Sequence, residues 1–278
     1  PVPDIAHATV QRFAQDPSGA IWMGTDRGLV RFDGAATERY VSEPSDPDAL
    51  PHDMVWDLLM DGDDLWVATA GGAWRMNTRT GAHQAVHYAQ PGAPSGAREA
   101  LAFAASRHGH WAFALSLGLY RYLPGDSLHR AVDEDVPGPQ RASGGWEAPD
   151  GTLWYCDRMA LRHYHPSTGH VDIFPLRPFG KDAPPKTLLL DVLPDRYNDH
   201  LLWCRSWGLG LVRFDMRTGS FEPFVASQAL NDLTNIVHAA VQTGPDQWVL
   251  NLDERLVMWE RGTFSACLLY TSPSPRDR

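Results

Sequence analysis

Three cysteines in 278 residues are too few for a disulfide scaffold. Cys267 stands near the end, and Cys156 and Cys204 lie two and one residues past their respective tryptophans, Trp154 and Trp203. On equivalent strands those two side chains face opposite ways, so no disulfide is expected between them. Basic charge is also scarce: 24 Lys and Arg against 34 Asp and Glu leave a net charge of −10, spread along the chain. Nucleic-acid backbones are held by a basic stripe, so no nucleic-acid partner is expected. No apolar run approaches the ~18 to 20 residues of a membrane-crossing helix, and no stretch has the period of a long amphipathic helix. A Gly-x-Ser-x-Gly elbow and a Walker-type phosphate loop are both missing, which removes the commonest hydrolase and nucleotide signatures.

Tryptophan, by contrast, is abundant and regularly placed. Trp22, Trp66, Trp111, Trp154, Trp203 and Trp248 recur at intervals of 44, 45, 43, 49 and 45 residues. Taking Gly28 as origin, the matching positions are Gly72, Gly118, Ala160, Gly210 and Arg255; four residues on stand Phe32, Met76, Tyr122, Tyr164, Phe214 and Trp259. One residue earlier come Arg31, Arg75, Arg121, His163, Arg213 and Met258. A period near 45 suits one four-stranded propeller blade.

The first copy shows how a blade is built. Val10 to Ala14 reads as a strand, and Asp16-Pro17-Ser18-Gly19 as a tight turn. Ala20 to Thr25 carries the anchor Trp, Leu29 to Phe32 forms a third strand, and Asp33-Gly34 leads into an outer strand around Thr37 to Val41. The expected fold is therefore all-β: a β-propeller of about six four-stranded blades, with repeats near 8–52, 53–97, 98–141, 142–187, 188–234 and 235–266. Six identical anchors are expected to fill the same gap in every blade and not to bind a ligand.

The stretch from Val10 to Gly34 resembles the two-component regulator propeller repeat, and Leu209 to Asp215 repeats its second half. Copies three, four and six lack the Gly-Thr pair after Trp, so their assignment rests on spacing. The resemblance implies a seven-bladed or double propeller, of which residues 1–266 are an incomplete part. It further implies a periplasmic sensor region of an inner-membrane protein, relaying a ligand signal to a histidine kinase or diguanylate cyclase module, with homodimerisation through domains outside this stretch. The start at Pro1-Val-Pro lacks Met and a signal segment, so a missing N-terminal portion is expected. Residues 267–278 resemble translated sequencing-adapter read-through and are expected to be a non-native tail. On that reading the sixth blade loses its outer strand and leaves an exposed, aggregation-prone edge.

Candidate chemistry is sparse. His108-Gly-His110 and His163-Tyr-His165 each place two imidazoles on one strand face, but no third ligand stands at a diagnostic spacing, so neither a metal nor a cofactor is assigned. The matched Arg31, Arg75, Arg121 and Arg213 are expected to bond neighbouring blades while their stems pack. No catalytic residue is nominated. Residues that depart from the repeat point better to a ligand. On the face holding the start of strand one and the turn after strand two, these are Trp56, Trp207 (where the first copy has Thr25), Arg27, Arg158 and Asn235. Exposed Trp beside Arg and Asn suits an oligosaccharide or other small ligand. A propeller lyase or glycosidase, or a protein-interaction platform, is the alternative.

Overall fold

The computed structural model describes residues 8–88, 100–106, 109–114, 118–123, 127–130, 144–157, 159–176, 187–223, 237, 239–252, 255–261 and 263–266. Among them there are only strands, turns and irregular segments. The first sheet runs β1 (Val10–Gln15), β2 (Ile21–Thr25), β3 (Gly28–Phe32), β4 (Thr37–Tyr40) as an antiparallel meander. Its strand bounds lie within a residue of those expected from the sequence.

The second repeat gives β5 (Val55–Asp61), β6 (Asp64–Thr69), β7 (Gly72–Asn77) and β8 (His83–Tyr88). The third gives β9 (Ala100–Ser106), β10 (Gly109–Ala114), β11 (Gly118–Leu123) and β12 (Ser127–Arg130). These two repeats share one eight-stranded sheet, because β8 and β12 pair in parallel at His87–Ser127 and Tyr88–Leu128. The fourth repeat gives β13 (Gly145–Glu147), β14 (Leu153–Cys156), β15 (Ala160–His165) and β16 (His170–Pro175), and the fifth β17 (Leu188–Pro194), β18 (Leu201–Trp207), β19 (Gly210–Asp215) and β20 (Ser220–Pro223), each a sheet of its own. Last come β21 (Ala239–Gly244), β22 (Gln247–Leu252), β23 (Arg255–Glu260) and β24 (Thr263–Ala266). The architecture is a β-propeller of five sheets, not six separate blades, the pairing of two outer strands having merged the second and third. The outer strand expected to be missing from the last repeat is present as β24, built from Thr263–Ala266. The tail 267–278 lies outside the described residues.

Two compact units divide the chain: Pro1–Asp157 with Arg162–Asp172, and Arg158–Leu161 with Ile173–Arg278. In the first, the leading strands β1, β5, β9 and β13 lie each beside the next. The repeated letters explain this packing. Trp22 shares a core with Met76, the closing residue of the following repeat. Trp66 meets Tyr122 edge-on at 4.5 Å, and Trp111 meets Tyr164 at 5.8 Å and 85°. Anchor and closing residue are thus two halves of one contact between successive repeats, which is why both recur with the same period. In the second unit Trp203 and Trp248 share a core, their rings 4.9 Å apart.

Polar side chains fix the turns. Asp16 is buried; its Oδ1 accepts from the Ser18 and Ala20 amides at 2.9 and 3.1 Å, and its Oδ2 from the Trp22 indole at 2.9 Å. Asp195 repeats the arrangement, accepting from the amides of Tyr197 and Asn198 and, at 2.7 Å, from Trp203 Nε1. In the next turn of each repeat, Thr25 and Thr69 donate to the carbonyls of Gly28 and Gly72 at 2.7 Å. Gly28 sits at φ +117 with its α-carbon facing the Tyr40 carbonyl, a position closed to any side chain.

The leading strands share a further irregularity. Register shifts leave one extra residue on five of them, at Gln11, Trp56, Leu101 and Leu190 toward the start of the strand and at Thr243 toward the end of β21. These are β-bulges, which re-aim one side chain while the ladder resumes on either side. Beyond the bulges, Asp57 joins Arg12 of β1 at 3.0 Å and accepts the Phe103 amide of β9 at 3.0 Å, fastening three leading strands together.

Candidate functional site

All six anchor tryptophans are buried, as a scaffold role requires. Over three of them stands a matched arginine, with guanidinium carbon to ring centroid distances of 5.9 Å for Arg31–Trp22, 5.5 Å for Arg75–Trp66 and 5.1 Å for Arg121–Trp111. The expectation that these arginines bond neighbouring blades holds for Arg75, whose Nη1 donates to the Tyr122 hydroxyl of the next repeat at 3.3 Å. Cross-strand register puts each beside its own Trp, and the ion pairs of Arg31 with Asp33 and Arg75 with Asp64 also stay within the repeat.

The fourth and later repeats break this pattern. In the fourth, His163 replaces arginine and stacks on Trp154 at 3.9 Å and 10°. In the fifth, Arg213 pairs instead with Glu222. In the sixth, the residue opposite Trp248 is Trp259 and not Met258, because the β22–β23 hairpin pairs Leu252 with Arg255 and shifts the register.

That shift builds a cleft of about 450 Å³ in the second unit, lined by Asp195, Tyr197, Asn198, Leu201, Trp203, Arg213, Pro245, Asp246, Trp248 and Trp259. Trp203 and Trp248 are its buried floor. Trp259 is partly exposed, and Tyr197 stands out with 54% of its surface accessible. The turn that presents Tyr197 is longer than its counterpart: Asp195 precedes its Trp by eight residues where Asp16 precedes by six. It is anchored to the adjoining strand, since the Arg196 amide donates to Gln242 Oε1 at 2.8 Å and Tyr197 Oη to the Thr243 carbonyl at 3.2 Å. Gln242 takes the place of Asp16 six residues before the anchor, and Trp248 Nε1 has no hydrogen-bond partner among the described residues. Aromatic walls with Asp195, Asn198, Asp246 and Arg213 around them combine a stacking surface with directional donors and acceptors.

The residues nominated from the sequence lie elsewhere. Arg27 is exposed in the β2–β3 turn, and Trp56 is the partly buried bulge residue of β5; both belong to the first unit. Trp207, 51% exposed, ends β18 in the second unit. It does not replace Thr25: Ser206 makes the equivalent bond, donating to the Gly210 carbonyl at 3.2 Å, and Trp207 is the added residue of a longer turn. Arg158, Asn235 and the His108 and His110 side chains lie outside the described residues. The cleft was hidden because changes of one or two residues in turn length decide it.

Folding also supplies a partner for the second histidine pair. Asp172, on β16, lies 2.9 Å from His165 Nε2 and 3.1 Å from His170 Nε2. Hydrogen bonds from His165, then from His170, hold its carboxyl below the ordinary carboxylate value. His163 is pushed down to about 4, chiefly by burial and then by the neighbouring His165, against the attraction of Asp172 and Asp150. Cys156 and Cys204 are buried, and neither is in a disulfide among the described residues.

Solved structures share this fold. The chain aligns with the extracellular domain of the proposed hybrid two-component system BT4673 from B. thetaiotaomicron at 20% identity and a TM-score of 0.70, covering 94% of this chain and 33% of that one. For the corresponding domain of BT3049 from the same organism the values are 16%, 0.74, 94% and 35%. A catalytically inactive virginiamycin B lyase from Staphylococcus aureus, solved with quinupristin, aligns at 13% and 0.66 over 87% of this chain and 77% of that one. This chain spans about a third of the two sensor-system domains. No protein-family model matches it, and no curated protein does. No helix among the described residues is long and apolar enough to cross a membrane.

Proposed function

We propose that this chain is the ligand-sensing propeller region of a membrane-bound signal-transduction protein, lying outside the cytoplasmic membrane and recognising a carbohydrate in the cleft of its second unit. The observation that carries the reading is the cleft itself: Tyr197 and Trp259 offer ring faces beside Asp195, Asn198 and Asp246, the pairing of stacking surface and polar groups that sugar rings engage. The fold shared with extracellular domains of two-component systems supports the sensing role. Ligand binding that differs between two arrangements of the propeller and its following domain would shift a kinase or diguanylate cyclase module of the intact protein.

The test is tryptophan-fluorescence titration with a panel of neutral and acidic oligosaccharides of two to four units. Saturable quenching is expected for at least one, weakened at least tenfold in Trp259→Ala and Tyr197→Ala. Trp56→Ala and Trp207→Ala belong in the same panel: loss of binding in these variants alone would move the site to the turns nominated from the sequence. No saturable response to any sugar would overturn the carbohydrate reading.

A further inference from the structure

The β15–β16 hairpin carries a side-chain group that neither the fold nor the aromatic cleft requires. His163 and His165 lie on one face of β15 with ring centroids 4.2 Å apart. Asp172 Oδ2 is 2.9 Å from His165 Nε2 and 3.9 Å from His163 Nδ1. One donor atom from each of the three falls within 4.8 Å of the other two. Ligands around a tetrahedral zinc ion, at metal distances of about 2.0 to 2.1 Å, stand roughly 3.3 Å apart, so the two measured separations bracket the required one.

The orientation of His163 is set from behind. The Thr152 hydroxyl donates to Asp150 Oδ1 at 2.7 Å, so its oxygen is left to accept from His163 Nε2, 2.8 Å away. That places the ring proton on Nε2 and turns the lone pair of Nδ1 toward Asp172 and His165. Stacking on Trp154 holds the ring plane. A carboxylate, a hydroxyl and an imidazole linked in this order are the outer support that metal-binding histidines use to fix their tautomer. A solvated His–Asp pair needs no such relay.

We infer that His163, His165 and Asp172 bind a late first-row divalent metal ion, zinc by ligand type, on the β15–β16 hairpin. Two imidazoles and one carboxylate favour zinc over magnesium or calcium, which prefer oxygen ligands throughout. His170 is exposed, with Nε2 3.1 Å from Asp172 Oδ1, and can complete the set or yield that position to water. The ion would clamp the outer strand β16 onto β15. This inference stands on different residues from the sugar cleft and survives its failure.

Zinc is titrated against a chromophoric chelator at pH 7.5, and Co²⁺ binding is followed by visible absorption. One tight ion per chain is expected, with the intense bands of tetrahedral Co²⁺. Asp172→Asn and His165→Gln should each weaken binding at least tenfold. Thr152→Val, which removes only the positioning bond, should weaken it about tenfold and alter the Co²⁺ spectrum. The chain holds 12 histidines, so weak background binding is expected in every variant. The inference is overturned if wild type and the His163→Gln/His165→Gln double variant titrate alike, or if the wild type gives no tetrahedral Co²⁺ spectrum.

Discussion

Asp16 offers the sharpest test of how a single turn holds a repeat. Replacing it with alanine removes the acceptor for the Ser18 amide and hydroxyl, the Ala20 amide and the Trp22 indole. Ser18 is exposed and can turn to water, but Ala20 and Trp22 are 3% and 1% exposed, so their donors are stranded. A stranded buried donor costs about 1 to 3 kcal/mol, so Asp16→Ala should lose about 2 to 4 kcal/mol in urea unfolding followed by circular dichroism. In a Trp22→Phe background the indole donor is already gone, and the same change should cost about 1 to 2 kcal/mol less. Burial opposes ionisation of Asp16, yet the hydrogen bonds from Ser18, Trp22 and Ala20 outweigh it and hold the carboxyl below 3.8. Its stabilising contribution is therefore complete above that pH and is lost as pH falls through the lower native value. Asp16→Ala should flatten the acid limb of the stability curve. Strict additivity with Trp22→Phe, or a loss below about 0.5 kcal/mol, would refute the reasoning by showing that water reaches the indole.

Three further outcomes follow from the same geometry. Gly28→Ala, at φ +117 with a new Cβ 2.5 Å from the Tyr40 carbonyl, should cost at least ~2 kcal/mol in denaturant unfolding, whereas Gly34→Ala, at φ +97 with open space around it, should cost about 1. Arg75→Met loses a ring contact and a partly buried ion pair and should cost about 1 kcal/mol, while Arg213→Met, whose partner Glu222 is exposed, should stay within about 0.5. His163 is held near 4 against an unfolded value near 6.5, so the unfolded chain takes up its proton first. Thermal stability should therefore decline as pH falls from about 6.5 to about 4, and His163→Phe should remove part of that slope; an unchanged slope would show the ring to be freely solvated.

Much of the scaffold could be read from the letters, because it is written in residues that recur. The Trp ladder recurs in all six repeats and the closing aromatic and the Asp and Gly turns in most of them, each solving one local problem repeatedly, and the first repeat's strands fall where those turns put them. What escaped the sequence depends on small offsets or on partners distant in the chain. An added residue after Ser206 made Trp207 look like the counterpart of Thr25. A shifted hairpin put Trp259 opposite Trp248, and with Tyr197 it made a cleft that no repeat-wide alignment displays. His163 and His165 were visible as a pair, but Asp172 reaches them only because β16 folds back beside β15. The merger of two repeats into one sheet arises at two outer-strand residue pairs whose side chains carry no distinguishing pattern.

The bulges on the leading strands bear on how such a chain can change over generations. At Gln11, Trp56, Leu101 and Leu190 the extra residue falls outside the paired register, so its neighbours keep their partners whatever side chain it carries. Each of these repeats thus contains one position outside the paired register, and the four differ: one is an amide, one an indole and two are leucines. A side chain can be exchanged there, one repeat at a time, without removing a pair from the ladder.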